Sequence, residues 1–150
     1  MKLAVEFPSV SYREGPDGVA RLARAIEDIG YDQLDMFDHV VMGHPTTTRA
    51  APMYPPQMPI LEALMTLSYA AAVTERIGLG TEVLVLPQRQ PTLVAKQIST
   101  LSTLSGGRVR LGMAWGLTGL SPFTLAAAAG GAFGFFARAP HLGSLSGVTY

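Results

Sequence analysis

The chain contains no cysteine, which removes disulfide frameworks, thiolate metal sites and a cysteine nucleophile from consideration. Charge is scarce as well. Asp, Glu, Lys and Arg make up 15% of the 150 residues, against roughly 25% in an ordinary soluble protein, so some apolar surface is expected to meet a partner. Acidic residues stop at Glu82. All 11 lie in residues 1–82 beside 6 Lys or Arg (net −5), whereas residues 83–150 hold 5 Lys or Arg (net +5). Those five cations form no cluster, so no basic arm exists and no nucleic-acid partner is expected. The N-terminal run MKLAVEFPSV is interrupted by Glu6 and Pro8 and is too short for the apolar region of a secretory signal, leaving a cytoplasmic location as the expectation.

One long uncharged stretch needs weighing. Leu111–Ala137 runs 27 residues without a charge, more than the ~20 that span a bilayer. Pro122 and repeated Gly, Ser and Thr dilute it, and its start, VRLGMAWG, reads better as a strand buried on both faces, so no membrane partner is expected.

Apolar residues make up 48% of the chain, enough for the core of one ordinary domain. Lys2–Phe7 reads as a first strand closed by Pro8. A helix follows with Asp17 as its N-cap, Val19, Leu22, Ala23, Ile26 and Ile29 at helical spacing, and Gly30 as its stop. Gln33–Phe37 is a second strand, ending in Asp38 and His39. From Met42 to Pro59 the chain holds prolines at 45, 52, 55, 56 and 59, which bars a persistent helix or central strand. Ile60–Thr74 is a second helix, apolar most of the way round, as expected of one buried on more than one side. Ile77–Leu86 is a third strand, Thr92–Leu104 a third helix stopped by Gly106-Gly107, and Arg108–Ala114 a fourth strand.

Strands alternating with helices demand a parallel sheet and an α/β fold. An open doubly wound sheet and part of an eight-stranded barrel both satisfy that order. No G-x-G-x-x-G follows the first strand, so a dinucleotide-binding sheet would lack its phosphate cradle, and the barrel is preferred.

The segments DQLDMFDHV, TERIGLGTEVLVLP, PTLVAKQ and LSGGRVRLG, in this order and separation, resemble the bacterial luciferase-like superfamily, particularly its branch using the deazaflavin coenzyme F420. The resemblance covers residues 1–116. It implies the N-terminal half of a (β/α)8 TIM barrel, with about four parallel strands, three crossover helices and an active site at the C-terminal strand ends.

Carried over by position, the resemblance makes Asp38 a contact to the deazaflavin ring system and His39 the neighbouring catalytic base. A histidine at a strand's C-terminal end in a barrel projects into the site and titrates near operating pH. On residue type alone the pair reads as a turn-capping acid and a loop histidine. The resemblance also places a bulge and a non-proline cis peptide at Glu82-Val83, backing the cofactor ring, and gives Val85, Trp115 and Gly116 cofactor contacts. Val85 stands where relatives have a small polar contact, so only its backbone and van der Waals surface are on offer. Leu117 stands where sugar-phosphate dehydrogenase relatives carry an acid and cannot donate a proton. Ser102 replaces a common aspartate, read as a lost structural ion pair. His44 follows His39 by five positions in a proline-rich loop without further ligands, so no metal is expected.

Beyond Gly116 the character changes. Residues 117–150 carry one charged side chain, Arg138, with 7 Ala and 6 Gly, and are read as an atypical tail separate from the half-barrel. Two functional classes follow. One is an oxidoreductase transferring hydride between a small organic substrate and F420 (preferred) or FMN with His39 as general base, or activating oxygen with reduced FMN. The other is a non-catalytic truncated fragment or a half-barrel that needs a partner chain. Asp38-His39 favours deazaflavin, since FMN monooxygenases more often read Glu-His-His there. The resemblance also implies a homodimer, with which the apolar second helix is compatible.

Overall fold

The computed structural model describes residues 1–9, 12–41, 46–48, 54, 57–114 and 135–138. Five strands run parallel in one sheet: β1 (Ala4–Glu6), β2 (Gln33–Met36), β3 (Gly78–Thr81), β4 (Leu84–Val85) and β5 (Val109–Ala114). Helices α1 (Pro16–Ile29), α2 (Ala63–Val73) and α3 (Pro91–Leu104) make the crossovers. The sheet order is β1-β2-β3-β5-β4, and β6 (Phe135–Arg138) adds to β5 antiparallel.

β3 and β4 are two halves of one strand. Leu79 faces Val109 while Leu84 faces Met113, so five steps on one side match four on the other and one residue bulges out. The Glu82-Val83 peptide at this break is cis, where the resemblance puts it. Thr81 bridges the gap, its hydroxyl donating to the Gly112 carbonyl (2.7 Å) and accepting from the Gly112 amide (3.0 Å).

Alternation along the strands separates two faces. Leu34, Met36, Leu79 and Val109 are buried with Ala23, Ile26, Leu64, Leu67, Val94, Ile98 and Leu101 in one core between sheet and helices, each large side chain contributing about 1.5–3 kcal/mol by leaving water. The opposite face, which a barrel turns inward, is polar. Glu6, Asp35, Gly80 and Arg110 lie in register across β1, β2, β3 and β5. Gln33 donates to Asp35 and accepts from Arg110 (3.4 Å). Gly80 leaves room beneath them, because a Cβ there would displace the Asp35 carboxylate and the Gln33 amide.

The helix boundaries depart from the sequence reading at their N-termini. Gly15, not Asp17, caps α1; Pro16 takes the first helical position and Asp17 the first turn, where its charge complements the helix dipole. α2 starts at Ala63 rather than Ile60, because the Glu62 carboxylate accepts the Met65 amide and so fixes the cap. α3 starts at Pro91, with the Gln90 side chain accepting from Leu93. The expected stops hold: Gly30 (φ 101°), Gly106 (φ 67°) and Gly107 (φ 83°) are left-handed.

Two charged side chains clamp the end of the sheet opposite the site. Glu27 accepts the amides of Glu75 (3.1 Å), Arg76 (2.6 Å) and Ile77 (2.8 Å), tying α1 to the turn before β3. Burial alone would raise its pKa, but these amides hold it below the usual carboxylate value. Arg108 donates to the carbonyls of Ser105, Ile77, Ala71 and Thr74 and to the Thr74 hydroxyl, all within 2.8–3.0 Å, joining α2, α3 and β3. The boundary expected at residue 116 lies outside the described residues.

Candidate functional site

The C-terminal end of β2 gathers most of the expected residues. After Met36 the chain continues through Phe37, Asp38 and His39, while the Glu82 amide donates to the Met36 carbonyl at 2.7 Å and so sets the bulge beside this strand end. Asp38, His39, Glu82, Val83 and Val85 therefore share one corner of the sheet. Trp115, Gly116, Leu117 and His44 lie outside the described residues.

The Asp38 side chain is wholly buried, one carboxylate oxygen accepting from the Val85 amide (3.0 Å) and Arg89 Nε (3.1 Å), the other from an Arg89 terminal nitrogen (2.7 Å). A bidentate guanidinium and a backbone amide hold it, so Asp38 fastens the bulged strand to the end of β2. The Val85 amide serves Asp38 and its side chain is buried.

Arg89 follows a 3-10 turn, Leu86–Gln88, and also pairs with Glu62 at 2.6 Å, so one guanidinium joins the caps of two elements. Burial works against its charge, yet the Asp38 and Glu62 carboxylates outweigh it and raise the pKa. Neither Arg89 nor Glu62 stood out in the sequence. The available signal was that Arg89 is the sole cation between Arg76 and Lys96, opposite a strand-end acid that burial obliges to find a partner.

His39 is half-buried and its ring is edge-on to two others, Phe37 (5.3 Å, 75°) and Tyr54 (5.3 Å, 74°). Burial lowers its pKa below the ordinary histidine value and the neighbouring Asp38 carboxylate restores part of it. The lowered pKa favours the neutral imidazole, the form that can accept a proton. Glu82 is exposed and Val83 half-buried, so backbone and carboxylate of the bulge stand open beside the strand end. On the inward face, burial and the charges of Glu82 and Asp35 raise the Glu6 pKa. Among the described residues no group of His, Asp or Glu is arranged to hold a metal ion, and no helix is long and apolar enough to cross a membrane.

Comparison with known proteins gives a consistent setting. An uncharacterized protein of Mycobacterium tuberculosis (strain H37Rv) is 35% identical over 103 residues, covering 65% of this chain and 36% of its own length. The uncharacterized protein YddN of Bacillus subtilis is 28% identical over 101 residues, covering 67% of this chain and 26% of its own. The chain thus spans about a third of the curated relatives it matches.

Among solved structures, a coenzyme F420 dependent tetrahydromethanopterin reductase from Methanopyrus kandleri aligns with a TM-score of 0.55 and 26% identity, covering 75% of this chain and 26% of that one. The oxygenating constituent of 3,6-diketocamphane monooxygenase from Pseudomonas putida, in complex with FMN, aligns with a TM-score of 0.55 and 20% identity, covering 75% and 29%. Their shared fold makes the parallel sheet and its helices about half of a TIM barrel. The description of luciferase-like monooxygenases matches residues 2–132, past Gly116, and the chain belongs to that family.

Proposed function

We propose that the corner between β2 and the β3/β4 bulge holds a deazaflavin, with FMN as the second choice, and that His39 is the general base of a hydride-transfer reaction on a small organic substrate. The observation that carries this reading is the half-buried His39 imidazole at the end of β2 beside the bulged strand. The residues fit a flat conjugated ring: Phe37 and His39 offer ring surfaces, and the bulge at Glu82 and Val83 offers backbone rather than a bulky side chain. Bound there, the cofactor supplies hydride chemistry. His39 accepts the proton that the substrate releases as its hydride leaves. Asp38 and Arg89 act indirectly, fixing the separation between the His39 strand end and the bulge.

Deazaflavin is preferred for the Asp38-His39 wording, and the similarity to an F420 dependent reductase supports it. A second copy of the chain belongs to the same reading, because α2 leaves Met65 (68%) and Tyr69 (39%) exposed on an apolar helix. A cytoplasmic location accords with hydride chemistry on a soluble coenzyme. The competing reading is a non-catalytic fragment or a half-barrel completed by a partner chain.

Absorbance titration of the full chain with F420 and, separately, FMN tests the reading. A saturable spectral change with F420, stronger than with FMN, is expected. No change with either cofactor contradicts an oxidoreductase role for this chain.

A further inference from the structure

Three rings meet at the end of β2, and one of them comes from a distant segment. Phe37 and His39 lie two residues apart just past the end of β2, and their rings meet at 5.3 Å. Tyr54 belongs to the proline-rich connection, where Pro55 directly after it restricts its backbone. The Phe37 and Tyr54 rings are nearly parallel, 5.7 Å apart at 19°, and the imidazole stands across both at 75° and 74°. One edge-on neighbour would let the imidazole plane swing about Cβ–Cγ. The three centroids form a triangle of 5.3, 5.3 and 5.7 Å, so the imidazole stands edge-on beside a stacked pair, and the Tyr54 ring adds a second neighbour that narrows its swing.

We propose that Tyr54 is a positioning residue for His39: it completes a two-ring clamp that fixes the imidazole plane at the strand end and covers the side that water would otherwise wet. The inference rests on His39 being the base proposed above and goes beyond it by giving the proline-rich connection a part in the site. All three rings are half-buried, which places the clamp at the edge of the corner rather than in the core. The Asp38 carboxylate is the charged group acting on the imidazole, and its own partner is Arg89. Asp38 stays in place when Tyr54 is changed, so the change isolates the covering ring.

Nuclear magnetic resonance on the full 150-residue chain tests this without reading turnover. His44→Gln and His141→Gln variants assign the His39 signal. In the unaltered protein, cross-relaxation between the ring protons of Tyr54 and His39 is expected. In Tyr54→Ala the His39 titration midpoint moves up toward the ordinary histidine value, while Tyr54→Phe, which keeps the ring, titrates like the unaltered chain. Absence of the Tyr54–His39 contact, or a Tyr54→Ala midpoint equal to that of the unaltered protein, overturns the proposal. If Tyr54→Ala fails to fold, the contact in the unaltered protein decides. A midpoint shift in a chain that binds neither F420 nor FMN upholds the clamp and removes only the cofactor reading.

Discussion

Glu27 concentrates more consequence in one side chain than any residue of the site. It satisfies three successive amides of the turn before β3, and Glu27→Gln keeps the size while removing the charge that those donors favour, at a cost of about 1–3 kcal/mol. Its folded pKa is lowered, so its contribution is present above the ordinary carboxylate value and is lost as pH falls through the folded one. Urea unfolding at neutral and acidic pH should show the variant less stable at neutral pH and the difference shrinking on acidification. Arg89 obeys different physics. Arg89→Met strands the buried Asp38 carboxylate and should cost about 3–5 kcal/mol, whereas Arg89→Met with Asp38→Asn should recover part of that loss. A double variant as unstable as the single one would show that the ion pair is not what holds this corner. Neither role was legible in sequence. A glutamate in the last turn of a helix and an arginine between two prolines look like solvated charges until the fold brings amides to the one and carboxylates to the other. His39 stood out only through the family wording, since on residue type alone it reads as a loop histidine, and the Asp38 carboxylate could not be assigned without knowing that Arg89 reaches it.

At the level of elements, hydrophobic periodicity located every strand and helix of the parallel sheet, and its errors fell at helix starts. Caps depend on single side chains, and Glu62 serves both Met65 and Arg89, so the start of α2 is set by a long-range partner that periodicity does not see. The bulge was legible only through the family wording, since Ile77–Leu86 is a continuous strand by composition. Helix α2 itself was read as buried on several sides, yet Met65 and Tyr69 are exposed. That surface is expected to meet a second copy. Met65→Lys should shift the chain from dimer to monomer in sedimentation without altering its helix content. A chain already monomeric before substitution would remove the dimer from the account.

For the molecule as a whole, a polar inward face and an apolar outward face divide the sheet: helices and core stabilise it, and the proposed ligand site lies at the strand ends. The parallel α/β sheet was readable from the order of elements, because parallel strands require crossover helices, while the half-barrel was read from the missing G-x-G-x-x-G and the family wording. β6 was not, since a short antiparallel pairing from an Ala- and Gly-rich segment has no distinctive pattern. It lies on β5, the strand whose other side pairs with β3 and β4, and so covers a sheet edge that would otherwise present unpaired backbone groups. The central claim is that the β2 corner is the ligand site. Amide chemical-shift mapping during F420 addition tests it most directly: the account predicts that the largest changes cluster at Phe37, Asp38, His39, Glu82 and Val83, and changes confined to the opposite end of the sheet, around Glu27 and Arg108, would contradict it.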